Sequence, residues 1–193
     1  MKKTLIILVF GISGSGKSTL RDYIIKNTDE IYKLIAVTDR SPRTGEQDKI
    51  DKYFLSEMDF FKKKNQGELC IINRLYNTNY AFFKNDFTSG KILLGELHYS
   101  AIDSFKAYHQ NTILLYIKIK SKEKIIDAIE QRDKNIVNNS IRIKYIEEEK
   151  KALYKLEKQG IFDYSFENNY DEESKIKFVG IIKKIIKDYG EKF

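Results

Sequence analysis

Eight consecutive residues, Gly11-Ile12-Ser13-Gly14-Ser15-Gly16-Lys17-Ser18, satisfy G-x-x-x-x-G-K-[ST] at every fixed position. The residue types follow from the chemistry of a phosphate. Glycines let the backbone wrap closely round the anion with N–H groups turned inward, and a helix beginning there adds its positive end. Lys17 is placed to reach β- and γ-phosphates, and the Ser18 hydroxyl to ligate Mg²⁺. Gly11, Ser13, Gly14, Ser15, Gly16, Lys17, Ser18 and Thr19 are therefore the candidate nucleotide-binding set. A chance Gly/Ser-rich turn is the competing reading, but an apolar run precedes the loop and an amphipathic stretch follows it. Such a loop does not by itself separate kinases from GTPases, ATPases or motors.

The next informative stretch is Thr38-Asp39-Arg40-Ser41-Pro42-Arg43-Thr44-Gly45-Glu46. Two of the chain's six arginines stand three apart there, spaced by its one proline. A guanidinium fork suits bidentate phosphate contacts, and a stiffened loop loses little entropy on binding. Arg40 and Arg43 are candidates for the phosphate of a second substrate. The alternative is a solvated basic loop.

These loops need elements to hold them. The apolar run over 4–10 has the character of a strand buried in a parallel sheet, and Leu20, Tyr23 and Ile24 share one face of the helix expected next. Further strands are expected over 32–37, 69–72, 91–97 and 111–119, with a short final one at Tyr164-Ser165-Phe166. Ser121 reads as a helix N-cap, a helix is expected from about 140 to 159, and 171–189 closes the chain. The last has an apolar stripe of Ile176, Val179, Ile182, Ile185 and Ile186. Strands alternating with helices predict a three-layer α/β fold with a mostly parallel sheet.

Composition narrows the class. Lys plus Arg is 35 against 28 Asp plus Glu, a surplus of 35 − 28 = +7 that is mostly Lys and dispersed, the pattern of a solvated surface. Neither nucleic acid nor a membrane is expected as a partner. One Cys excludes a disulfide framework, and Cys70 fits a small buried hydrophobe in a reducing compartment. No run approaches the roughly 18 apolar residues of a membrane helix. The apolar N-terminal run stops at Gly11, short of a signal peptide, so a cytoplasmic protein is expected. The run Lys62-Lys63-Lys64 reads as a solvated helix end, and His109 as a surface residue.

At the phosphate loop and the paired arginines the chain resembles the guanylate kinases, whose loop is followed after about two dozen residues by T-T-R-x-P-R-x-G-E. Here Asp39 replaces the second Thr. Asn79-Tyr80 is similar to that family's N-Y-Y-G element, a weak R-L-x-x-R-like stretch ends at Arg132, and Phe166-Glu167-Asn168-Asn169 is similar to its V-N-D segment. The resemblance implies a single domain. Its core would span about 1–38, 88–127 and 161–193, with an acceptor-binding insertion over about 39–87 and a helical lid over about 128–160. It implies ATP and Mg²⁺, with Arg40, Arg43 and Tyr80 on the acceptor phosphate, Asn168 at the nucleotide, and Lys17 in catalysis. Arg132 and one of Arg142 or Lys144 would neutralise the transferring group.

The departures sort by job. Counted forward from the arginines, the carboxylate that reads guanine in the family falls at Ile71, and two base-holding hydroxyls fall at Ala36 and Phe82. A slip of the count would put Glu68 there instead. A phosphate-binding tyrosine lands on Lys52, with Tyr53 beside it as a substitute. The acidic D-x-D-x-Q-G element appears as Glu96-Leu97-His98, leaving Glu96 to organise Mg²⁺ through water and His98 as catalytic or merely a cleft-wall hydrogen-bonder. A site that loses its base partners loses discrimination. The expected function is therefore transfer of the ATP γ-phosphate to GMP, dGMP or a related acceptor with altered base specificity. A sugar-phosphate kinase or a non-catalytic binding module of the same fold are the alternatives.

Overall fold

The computed structural model describes residues 4–75, 77–88, 90–132 and 136–190. Strand β1 (Leu5–Phe10) is buried along its whole length, as a strand covered on both faces must be. It runs into the phosphate loop and helix α1 (Lys17–Lys26). Then come β2 (Ile31–Lys33), β3 (Val37–Thr38), β4 (Tyr53–Phe54), α2 (Glu57–Asn65), β5 (Leu69–Leu75) and β6 (Thr78–Phe83). The chain continues through β7 (Ile92–Glu96), α3 (Ile102–Tyr108), β8 (Thr112–Lys118), α4 (Lys122–Arg132), α5 (Ile136–Lys158), β9 (Tyr164–Glu167) and α6 (Glu172–Gly190).

Five strands form one sheet in the order β2-β7-β1-β8-β9, all neighbours parallel. The phosphate loop thus leaves the carboxyl end of the central strand, where α/β sheets place their ligands. A smaller mixed sheet, β4-β3-β6-β5, stands beside it. One of its faces packs Val37, Leu69 and Ala81 against Phe60 of α2. Because side chains alternate along a strand, Tyr80 and Phe82 turn to the other face, toward the main body.

Three expectations are corrected. The strand expected over 32–37 divides between the two sheets. The Leu34 amide still donates to Leu94 of β7 (3.0 Å), whereas the Ala36 carbonyl already accepts from Tyr53 of β4 (3.0 Å). Strand β6 is not among the expected strands; its first half, Thr78-Asn79, is polar, and Asn79 is buried beside Ala81 and Phe82. On α6 the buried stripe is Phe178, Ile182 and Ile185; Ile176 is 67% exposed and is not part of it. Ser121 does cap α4, its Oγ accepting the Lys124 amide at 3.2 Å, and the three lysines of α2 do fall in its last turn.

Candidate active site

The phosphate loop is held from both sides. Gly16 has φ +80, and a Cβ there would lie 2.5 Å from Asn168 Nδ2, so only glycine fits. Asn168 Nδ2 donates to the Ser15 carbonyl (3.0 Å), its Oδ1 accepts the Tyr170 amide (3.0 Å), and the Tyr170 hydroxyl donates to the Gly14 carbonyl (2.5 Å). The turn before α6 therefore sets the loop's shape. Lys17 Nζ donates to the carbonyls of Gly11 (2.7 Å) and Ile12 (2.8 Å) and to Ser15 Oγ (3.2 Å). Ser18, Thr19 and Asn168 line a pocket on the outer side of the loop.

On the inner side, Gly11, Ser13 and Lys17 open into a second cavity that runs to the small sheet, where Arg40, Arg43 and Tyr80 line it. Arg40 is fixed by a two-pronged pairing with Glu46 (2.7 and 2.8 Å), which also accepts the Arg43 amide at 2.8 Å. Burial alone would raise the Glu46 carboxyl, but these donors outweigh it and hold it at about 2. Lys52 lines the same cavity. Burial, helped by Arg40 and Arg21, depresses its ammonium to about 8 against the pull of Glu96 and Glu46. Arg21 lies buried beneath, paired with Glu96 and Asp22 at 2.7 Å each. From α5, buried Glu149 accepts the Ser13 amide at 2.9 Å and stands 3.9 Å from His98 Nε2. Burial lowers the His98 imidazole. A nucleotide-phosphate loop, a cluster of cations and one cavity joining them make a geometry for moving a phosphoryl group between two anionic substrates.

A family model described as Guanylate kinase matches residues 1–187. The chain belongs to the guanylate kinase family. A guanylate kinase of Bdellovibrio bacteriovorus is 26% identical over 191 residues, covering 96% of this chain and 98% of its own. One of Rickettsia prowazekii is 31% identical over 137 residues, covering 69% and 68%. The crystal structure of guanylate kinase from Anaplasma phagocytophilum superimposes with a TM-score of 0.66 at 18% identity, over 95% of this chain and 86% of that one. The chain is thus a nucleoside monophosphate kinase of guanylate kinase type, and its fold is the P-loop kinase fold. Among the described residues, no helix is long and apolar enough to cross a membrane.

Within this guanylate kinase family member the expected residues do not all converge. Tyr53 packs edge-on against Phe83, 4.9 Å between ring centres, and does not line the cavity, whereas Lys52 just before it does. Ile71 lines the cavity with φ +53, a left-handed conformation costly for a β-branched side chain, at an irregularity in the β5–β6 register. Glu68 does not replace it, being exposed and paired with Lys63 at 2.9 Å. Ser18 and Glu96 line different pockets, and Glu96 is engaged with Arg21. Lys144 is exposed on α5 and lines neither pocket; the side chains of Arg132 and Arg142 lie outside the described residues. Cys70 is buried with its thiol pushed up to about 11, and His109 is half-buried against the Phe87 ring rather than at the surface.

Sequence reading missed Arg21, Lys52 as an inward cation, Asn73 and Glu149. Arg21 had a signal, one helical turn after Lys17 and on its face. Glu149 had none, because Glu147 and Glu148 beside it are exposed and only burial separates the three.

Proposed function

We propose that this protein moves the γ-phosphoryl group of ATP, with Mg²⁺, onto the phosphate of a nucleoside monophosphate, and that its acceptor cavity is not built for guanine. The observation that carries the reading is the single cavity with Lys17 at one end and Arg40, Arg43 and Tyr80 at the other. The loop fits a triphosphate, since its cradle is shaped by a glycine that no side chain can replace. The Ser18 hydroxyl offers the hard oxygen ligand that Mg²⁺ prefers, and phosphate oxygens complete such a shell. ATP supplies the transferable group and Mg²⁺ spreads its charge.

Lys17 and the inward amides of the loop bind and orient the donor phosphates. Arg40 and Arg43, pre-set by Glu46, grip the acceptor phosphate with little entropy left to lose. Tyr80 and Lys52 close that subsite. An acceptor phosphate is already ionised at neutral pH, so no side chain need take a proton. Ala36, Ile71 and Phe82 form the wall at the three positions where a guanine reader would stand.

The test is ATP-dependent product formation against nucleoside monophosphates and sugar phosphates, with Lys17→Ala as control. Transfer to nucleoside monophosphates that vanishes in the variant is expected. ATP binding without transfer to any of them would overturn the reading in favour of a binding module.

A further inference from the structure

The phosphate loop shows different residues to its two pockets. The stretch 14–19 lines the outer one, Gly11 and Ser13 line the inner cavity, and Lys17 borders both. Ser13 thus stands on the acceptor side of the loop. Its amide is taken at 2.9 Å by Glu149 of α5, which is 7% exposed although Glu147 and Glu148 before it face solvent. Withdrawing a carboxylate from water is costly unless donors meet it, which ties this side chain to its place beside the loop.

A second donor faces the same carboxylate. The Ser100 backbone amide, which can only donate, points at His98 Nδ1 at 3.3 Å. Nδ1 is therefore an acceptor, so the ring is neutral and its proton sits on Nε2. That Nε2–H is buried with no hydrogen-bond partner, and Glu149 Oε1 stands 3.9 Å from it. On the other side of the ring, Nδ1 lies 2.8 Å from Ser100 Oγ, which accepts Asn73 Nδ2 of β5 at 3.0 Å. Ser13, Glu149, His98, Ser100 and Asn73 make a line of polar groups from the phosphate loop to the small sheet, with one link open. Closing it to an ordinary N–H···O distance takes a movement of about 1 Å. A buried N–H left unpaired is costly enough to favour that movement.

We propose that Glu149 and His98 are positioning residues for phosphoryl transfer, tying the acceptor side of the phosphate loop to the small sheet, and that their open link closes when both substrates are bound. The inference rests on the kinase reading above. Both residues act at one remove, Glu149 through the Ser13 amide and His98 through Glu149. Because the tie lies on the inner side of the loop, its loss reaches the approach of the two phosphates rather than the grip on the donor.

Two measurements separate this role from simple structural support. One is calorimetric affinity for a non-hydrolysable ATP analogue with Mg²⁺, and the other is kcat with the nucleoside monophosphate turned over fastest in the panel above. Glu149→Ala should lower kcat about a hundredfold while analogue affinity stays within about threefold. Glu149→Gln, nearly isosteric and so safe for folding, keeps an acceptor for Ser13 without the charge that draws in His98, and should cost about tenfold. His98→Phe, which keeps a ring against Tyr99 but has no N–H, should match it. The closed link shows as non-additivity: the double variant Glu149→Gln/His98→Phe should lose no more than either single one. Glu148→Gln, exposed one residue away, should leave both values alone. Retained kcat in Glu149→Gln and His98→Phe, analogue affinity falling in step with kcat, or losses that multiply in the double variant would each overturn the inference and leave the kinase reading standing. An unaltered protein that binds the analogue but transfers to no nucleoside monophosphate would sink the kinase reading, and this inference with it.

Discussion

The two ends of the cavity are built by different means. The phosphate end is local: eight consecutive residues form the loop, and Arg40, Arg43 and Glu46 fall within seven positions of one another. The base end is collected from afar, with Ala36 between sheets, Ile71 and Asn73 on β5 and Phe82 on β6. A phosphate makes the same demand in every nucleotide, so its grip stays tied to a fixed short pattern. A base makes a particular demand at each atom, and single positions on separate strands change one contact without disturbing the rest. Under the proposed assignment, the phosphate end is charged and the base end is walled by the apolar Ala36, Ile71 and Phe82.

The largest effects should come from the phosphate end. Lys17→Ala is expected to lower turnover by about a thousandfold with melting temperature and circular dichroism unchanged; retained turnover would remove Lys17 from the mechanism and blur the division. Arg43→Ala should raise the acceptor KM or cut kcat, about a hundredfold in kcat/KM, while ATP affinity measured by calorimetry stays put. If ATP affinity fell instead, Arg43 would belong to the donor.

Lys52 sits on the boundary and sharpens the contrast through pH. Its depressed value near 8 means that the ammonium is present below that pH and lost above it. The acceptor KM should accordingly rise between about pH 7 and pH 9, by roughly tenfold for one lost cation on the phosphate. Lys52→Met should show the high KM throughout with a flat profile; an unchanged slope would assign the titration to another group. The smallest effect is expected at Glu46. A carboxyl held at about 2 contributes stability that is present above its unfolded value and lost as pH falls through 2. Thermal melts of Glu46→Gln should therefore lie below those of the parent at neutral pH and converge with them in strong acid.

Much of this was visible along the chain. The phosphate loop, its strand and its helix declare themselves because a glycine-rich turn between an apolar run and an amphipathic one has few other uses. The paired arginines do so because a proline and a glutamate fix their geometry nearby. Asp39 and Asn79, forty residues apart, illustrate the limit: each belonged to a recognisable segment, yet their mutual hydrogen bonds, with the Asn79 amide donating at 2.8 Å, follow only from β3 pairing with β6. Lys52 and Tyr53 illustrate another. Either could face the cavity, and a one-residue choice of strand register decides which does.

The sequence by itself determined that a G-x-x-x-x-G-K-[ST] loop stands at 11–18, that a parallel α/β sheet carries it, and that positions 36, 71 and 82 are apolar. Those features depend on consecutive residues and on periodicity, which the chain carries locally. The tertiary structure alone decided that Glu149 of α5 meets the Ser13 amide, that Ile71 rather than Glu68 walls the cavity, and that Asn73, Ser100 and His98 form one chain. These contacts join residues far apart in sequence. Burial and hydrogen-bond direction select them, and neither exists until the chain has folded.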